Sequence, residues 1–353
     1  VGEASSPTRP APTPPASTPP TDDGLGAWFD HVADEHSRLA DCFSRPGRLH
    51  LIEEAWVELQ LRPDEIGPMT DRGREKDGPS LGERLTLEEA VALTPEDGSW
   101  VTGRWLLEGS PGSGKTTLLR RFARGLAEAR DRTRIPVFLP LARIVEGGAD
   151  WLSVATDGFQ MVSAGLTDTL RSAGKDGGLV ILLDGLDEVP PDRRQAVDVL
   201  LGVLRRDFGR NPVVVTSRPL GRGKVPLGFR RLELLPLPED RQREFLVNWF
   251  EHADMDDPAG QADQALAAFD GSGLHDLAAV PLYLTLLAIL WQNDERPPDR
   301  LALLFDQVFD LLLKGDHRDG GVPVPAKEDV EEALRFLAHG MTVDDRWAEP
   351  ASR

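Results

Sequence analysis

Trp105-Leu106-Leu107-Glu108-Gly109-Ser110-Pro111-Gly112-Ser113-Gly114-Lys115-Thr116-Thr117 is the stretch from which the rest of the chain can be read. Three apolar residues, Trp105 to Leu107, predict a buried strand; a glycine-rich turn follows, and a helix opens at Lys115 and Thr116. Gly109, Gly114, Lys115 and Thr116 satisfy the pattern G-x-x-x-x-G-K-[ST], whose backbone N–H groups point inward on a bound polyphosphate. Residues Gly109 to Thr117, with Ser110, Pro111, Gly112 and Ser113 between the two fixed glycines, are therefore the candidate phosphate-binding residues. A side chain at Gly112 or Gly114 would hold the phosphate away from the backbone. Lys115 is placed to reach the β- and γ-phosphates, Thr116 to offer its hydroxyl to Mg²⁺, and the helix start to present unpaired N–H groups to the anion. The bland alternative is a chance glycine turn with a surface lysine. Against it stands the helix that follows, with Leu118, Leu119, Phe122 and Leu126 on one stripe and Arg120, Arg121 and Arg124 facing away.

Two further stretches belong with the first. Leu179 to Val189, L-V-I-L-L-D-G-L-D-E-V, is an apolar run ending on Asp184, which places that carboxylate at the carboxyl edge of a sheet, where ligands bind in open α/β folds. Asp184 is the candidate metal residue, opposite Thr116; the alternative register gives the metal to Asp187 with Glu188 beside it. Gly185 interrupts the strand before Asp187 and favours Asp184. Of the acidic pair, Glu188 is the preferred base for the attacking water and Asp187 the alternative; either could instead cap the helix beginning near Pro191. Val213 to Pro219, V-V-V-T-S-R-P, is a strand ending in polar residues. Arg218 is a candidate γ-phosphate sensor with Thr216 or Ser217 as supporting donors, the plainer reading being an arginine paired to a surface acid.

Composition narrows the function classes. The chain has 353 residues, enough for two or three domains, and is 40% hydrophobic, enough to bury a core. Its formal charge of -19 argues against a nucleic-acid surface. The single cysteine, Cys42, excludes an internal disulfide framework and is compatible with a reducing cytosol. Leu277 to Trp291, the longest apolar run, is too short to span a bilayer and reads as a buried helix. His31, His36 and His50 are scattered without a metal-ligand pattern. The chain opens on Val rather than Met and stops soon after an amphipathic helix, which points to a piece of a longer protein.

Along the chain, residues 1–27 begin with a Pro, Ala, Ser and Thr stretch expected to be a disordered linker. Residues 28–98 read as an N-terminal adaptor segment packed on the core: a helix from Trp28 to Phe43, a strand from Ala55 to Leu61, a charged loop from Asp64 to Gly82, and a helix opened by a Thr86–Glu89 capping box. Residues 99–235 alternate strand and helix, as a parallel sheet covered on both faces requires. Further strands are expected at Ile135 to Leu139, Val213 to Thr216 and Arg231 to Leu235, with a helical stretch from Ala149 to Leu170, a glycine break at Gly174 to Gly178, and a helix from Asp192 to Phe208. Residues 236–315 read as a helical subdomain with helices at Glu239 to Phe250, Ala262 to Phe269, Pro281 to Trp291 and Leu301 to Leu313. A helix from Asp329 to His339 falls in residues 316–353.

The three motifs, in this order, resemble the NACHT family of signal-transducing NTPases, of bacterial type, within the STAND class. D-G-L-D-E, a small residue after the metal aspartate and then an acidic pair, is the feature that separates the family from ordinary AAA+ ATPases. The resemblance covers roughly Trp100 to Leu313. It implies an α/β fold with a P-loop ASCE-type parallel sheet in the order 5-1-4-3-2, followed by an all-helical subdomain, and it makes residues 316–353 the start of an incomplete winged-helix-like region. It also implies that Pro281, in A-V-P-L-Y-L-T-L-L-A, packs against the adenine; read alone, Pro281 is a helix-starting proline. The family's winged-helix histidine, which locks the ADP state, lies in an aromatic-rich motif this chain lacks, and His339 stands in a different context. No N-K-x-D occurs, so guanine recognition is not supported and ATP is the expected nucleotide. The resulting expectation is an intracellular ATP/ADP-dependent switch that binds Mg²⁺ and adenine nucleotide, hydrolyses slowly and self-associates in the ATP state. The family adds a role in bacterial antiviral defence or signalling. Its trigger and effector are not specified, and no nucleic-acid or membrane partner is expected. The competing readings are a constitutive AAA+-like motor and a non-catalytic scaffold.

Overall fold

The structure, a computed structural model, describes residues 24–37, 55–63, 84–92, 103–144, 150–157, 165–219, 225–271, 274–296, 298–314 and 332. The proline-rich stretch 1–23, Cys42, His50, the charged loop 64–82 and His339 lie outside the described residues, as does, apart from Glu332, the region 316–353 with its expected helix.

Helix α1 (Leu25–Ser37) starts before the expected Trp28, because Leu25 extends the stripe of Trp28, Phe29 and Val32 that it buries. The strand expected over Ala55 to Leu61 is displaced. Burial alternates from Ala55 onward, yet ladder pairing is confined to β1 (Leu61–Pro63). The Thr86–Glu89 box forms reciprocally, Thr86 N–H to Glu89 Oε2 at 2.8 Å and Glu89 N–H to Thr86 Oγ1 at 3.2 Å, and opens α2 (Leu87–Ala92).

The core alternates β2 (Arg104–Glu108), α3 (Lys115–Ala129), β3 (Ile135–Pro140), α4 (Trp151–Ala155), α5 (Leu166–Asp176), β4 (Leu179–Asp184), α6 (Arg194–Asp207), β5 (Val213–Ser217) and β6 (Arg230–Leu234). The single helical stretch expected over Ala149 to Leu170 is two helices. The second runs through Gly174, and the break comes at Gly177, the αL cap. Gly174 is a packing residue: a Cβ there would stand 2.6 Å from the Phe208 ring and 2.8 Å from Leu179. Buried Asn211 ties this corner, accepting the Leu179 N–H at 2.8 Å and donating to the Gly174 and Phe208 carbonyls at 2.6 and 2.9 Å.

The sheet has six strands in the order β1-β6-β2-β5-β4-β3. Counted from the phosphate-loop strand, its five parallel members run 5-1-4-3-2, and β1 adds an antiparallel edge the expected order lacked. That strand pairs Leu61 with Leu234, so residues 61–63 of the N-terminal segment join the sheet.

After β6 the described residues are helical: α7 (Glu239–His252), α8 (Pro258–Gly271), α9 (His275–Ala278), α10 (Pro281–Gln292) and α11 (Leu301–Lys314). Every residue from Leu284 to Leu290 is buried, which makes α10 the centre of this layer. Two indoles pin it through side-chain amides: Trp249 Nε1 to Gln292 at 3.1 Å and Trp291 Nε1 to Gln261 at 2.9 Å. Among the described residues, no helix is long and apolar enough to cross a membrane.

Candidate functional site: a phosphate loop, two strand ends and a helical wall

The β2 strand is buried along its whole length and delivers Gly109 at the carboxyl edge of the sheet. From there the loop turns back through Gly112 at φ +76° and Gly114 at φ +92°, conformations that a Cβ would strain. Gly114 caps α3 without any side-chain bond, so the first N–H groups of that helix are not satisfied by a capping side chain. Lys115 folds over its own loop, Nζ donating to the Gly109 carbonyl at 2.7 Å and the Ser110 carbonyl at 3.0 Å. Burial holds the Lys115 pKa below its ordinary value, with Asp187, Asp184 and Glu188 opposing that drop and Arg218 adding to it.

Parallel pairing sets Asp184 beside Thr216, since Leu183 lies opposite Val215 on the neighbouring strand. Thr216, 1% exposed, donates its hydroxyl to Asp184 Oδ1 at 2.5 Å and accepts the Gly185 N–H at 2.8 Å. One carboxylate oxygen is thus oriented by a neutral donor. Gly185, at φ +80°, ends the strand and caps a short 3₁₀ turn, Leu186–Glu188, which Glu188 N–H to Gly185 O closes at 3.1 Å. A Cβ at Gly185 would meet Glu188 Oε2 at 2.9 Å, so the small residue after Asp184 makes room for the Glu188 carboxylate.

The acidic pair diverges from this turn. Glu188 folds back over Gly185, whereas Asp187 reaches the end of β5, accepting the Arg218 N–H at 2.9 Å and approaching Arg218 Nε at 3.0 Å. Of the donors expected to support Arg218, Thr216 is turned toward Asp184 and Ser217 is buried with its hydroxyl unpaired.

One cavity of about 350 Å³ gathers these groups. Pro111, Gly112, Gly114, Lys115, Thr116 and Thr117 line it together with Asp184, Asp187, Glu188, Thr216 and Arg218. Gly109, Ser110 and Ser113 are not among its lining residues; Ser113 is buried within the loop and Lys115 holds the Gly109 and Ser110 carbonyls. Pro281 lines the far side as the first residue of α10, and the Leu282 N–H donates to the Gly112 carbonyl at 3.2 Å. Sequence reasoning missed the rest of the apolar wall: Trp56, Val57 and Leu59 ahead of β1, and Leu237, Phe245 and Leu282 of the helical part. The alternating burial from Ala55 to Leu61 carried a signal of a half-buried strand, with nothing to say that it faced this cavity.

These residues fit a magnesium-bound polyphosphate. The loop glycines leave a cradle that side chains would fill: a Cβ at Gly114 would stand 3.3 Å from Leu59 and 3.9 Å from Pro281. Thr116 and Asp184 line the same cavity and are the protein oxygens that could hold Mg²⁺ there, together with phosphate and water.

A parallel sheet carrying a phosphate loop, with a strand-end aspartate beside it, defines a P-loop NTPase. Residues 104–253 match the family model of the NACHT domain. None of the curated proteins matches the chain. Solved structures similar to it include a Walker-type ATPase of Pyrococcus abyssi, at 15% identity over 67% of this chain and 72% of that one, with a TM-score of 0.36. Two variants of RuvB from Thermotoga maritima are similar at 17% and 18% identity, over 71% and 72% of this chain and 73% and 74% of theirs, with TM-scores of 0.33 and 0.32.

Proposed function

We propose that this chain binds Mg²⁺ with ATP or ADP and works as a nucleotide-dependent switch, in which the bound nucleotide sets the relation between the sheet domain and the helices after it. One observation carries the reading: the cavity that holds the phosphate loop, Asp184 and Arg218 is closed on its other side by Phe245, Pro281 and Leu282. A nucleotide with its phosphates on the loop would lay its base against that apolar wall, so ATP and ADP would bridge the two layers. A ligand shifts such an equilibrium only by its differential affinity for the two states. In the working order, Lys115 and Thr116 hold the phosphates, Thr116 and Asp184 the metal, Glu188 the attacking water, and Arg218 the terminal phosphate. Hydrolysis is slow, serving to reset the switch, and the ATP state self-associates. The division into residues 28–98, 99–235, 236–315 and 316–353, and a role in bacterial defence or signalling, belong to the same proposal.

The test is isothermal titration of the purified chain with ATP and with ADP, with and without Mg²⁺, followed by light scattering in each state. Magnesium-dependent binding of both nucleotides, with a larger particle in ATP alone, is the expected result. Absence of magnesium-dependent adenine-nucleotide binding would end the proposal; rapid turnover stimulated by DNA would replace the switch with a motor.

A further inference from the structure

A second cavity, of about 290 Å³, lies against the same helix that opens the phosphate loop, and nothing in the proposed nucleotide chemistry uses it. Its floor is one face of α3. Leu118, Phe122, Gly125, Leu126 and Ala129 recur at three- and four-residue steps, so they form a continuous stripe about 16 Å long. Gly125 lies in the middle of that floor and is exposed; a Cβ there would meet nothing within 4 Å. The centre of the groove is therefore open space.

Five charged side chains border the groove, and they differ in what they lack. Glu58 is exposed and keeps its water. Asp131 Oδ1 already accepts the Thr133 N–H at 2.8 Å and its hydroxyl at 2.7 Å, and Glu88 Oε1 accepts from Arg134 Nη1 at 3.3 Å. The arginines are different. Arg121 has no ion pair among the described residues, and its guanidinium lies over the Trp56 ring at 5.1 Å. Arg134 Nη2 is buried with no hydrogen-bond partner among the described residues. A buried donor without an acceptor carries the whole cost of its lost hydration. An occupant that gives Arg134 an anionic oxygen and covers Phe122 and Leu126 would remove that cost and bury apolar surface as well.

We propose that this groove is a second ligand site, for a small anion with an apolar body: a carboxylate, sulfonate or phosphate head at Arg134, and an aromatic or aliphatic body over Phe122 and Gly125. The volume is near the lower end of the range for small-molecule sites, about 300 Å³. Trp56 lines both cavities, and α3 carries Lys115 and Thr116 into one and Phe122 into the other. The site is thereby coupled to the nucleotide. An occupant that fixes Trp56 changes the affinity for nucleotide, and the nucleotide changes the affinity for the occupant by the same factor. The site stands on the groove itself, whereas the coupling rests on the nucleotide-switch reading.

The probe is anilinonaphthalene sulfonate, an aromatic anion, whose fluorescence is titrated against the chain saturated with ADP and Mg²⁺ so that the nucleotide cavity is filled. Saturable binding of one probe per chain is expected. Arg134→Ala should weaken it about tenfold, the size of one charge-assisted contact. Phenylnaphthylamine, which lacks the sulfonate, should bind more weakly and should not distinguish Arg134→Ala from the unaltered chain. Gly125→Leu should abolish binding by filling the open floor, while its thermal transition stays at or above that of the unaltered chain. With the probe bound, the ADP affinity of the unaltered chain should change by about fivefold or more, and that of Gly125→Leu should not. The site is overturned if the probe does not bind, or if it binds Arg134→Ala and Gly125→Leu as tightly as the unaltered chain. If Gly125→Leu does not fold, Arg134→Ala and the uncharged probe decide the matter. An ADP affinity indifferent to the probe overturns the coupling. A chain that binds no nucleotide overturns the switch reading and the coupling with it, and the probe titration, run without ADP, then decides the site by itself.

Discussion

Replacing Thr216 by Val tests whether the end of β5 holds the metal strand in place. The substitution nearly preserves shape while removing a hydroxyl that donates to Asp184 Oδ1 at 2.5 Å and accepts the Gly185 N–H at 2.8 Å. Losing a bond to a carboxylate costs about 1.5–3 kcal/mol and losing a neutral one about 1 kcal/mol. Asp184 is only partly buried and can recover some solvation, so the expected loss is about 2–3 kcal/mol. Thr216→Ser separates the hydroxyl from its methyl, because it keeps both bonds and gives up about 1 kcal/mol of packing. Urea unfolding followed by tryptophan fluorescence suits the comparison, since Trp105 is fully buried in the adjoining strand. In a thermal scan the valine variant should melt roughly 4–10 °C lower. If it is as stable as the parent, or if the serine variant loses as much, the two bonds do not hold the strand end and the argument fails.

Two other perturbations follow from the fold. His36 is buried against Phe138, and burial, with Arg120 and His31 nearby, lowers its pKa from 6.5 to about 4. The unfolded chain therefore takes a proton that the folded one refuses, so stability falls as pH drops from 6.5 toward 4, by up to about 3 kcal/mol. His36→Phe should flatten that part of a stability-versus-pH curve, and an unchanged slope would contradict the assignment. Gly112→Ala and Gly125→Ala should have opposite signs in thermal melts. The first meets Leu282 Cβ at 2.9 Å at a positive φ and should destabilise by at least about 1 kcal/mol, whereas a Cβ at Gly125 finds nothing within 4 Å and should stabilise α3 by about 1 kcal/mol. Nucleotide affinity should fall only in the Gly112 variant.

Local chemistry made much of this chain legible. The loop from Gly109 to Thr116 was readable because its function demands glycines, a lysine and a hydroxyl at set spacing on one continuous segment. Asp184 was readable because an apolar run followed at once by an acid places that acid at a sheet edge, and the capping box at Thr86 because both partners lie within one turn. Boundaries fared worse where glycine was taken as punctuation: Gly174 lies inside a helix because Phe208 and Leu179 leave no room for a side chain there, a packing fact that no helix rule contains.

The pairing of the edge strand was settled in three dimensions alone. Leu61 and Leu234 are far apart in sequence, and nothing local says that the first becomes an edge strand on the second. For the same reason Trp56, Val57 and Leu59 gave no sign that they wall the cavity, and the helical Phe245 gave none that it faces the phosphate loop. The acidic pair shows the division most clearly. Sequence preferred Glu188 as the base and kept Asp187 as the alternative, since adjacent residues share composition and spacing. The turn at Gly185 sends their carboxylates apart, one over the strand end and one to Arg218, because side-chain direction depends on backbone dihedrals and on neighbours brought in by the sheet.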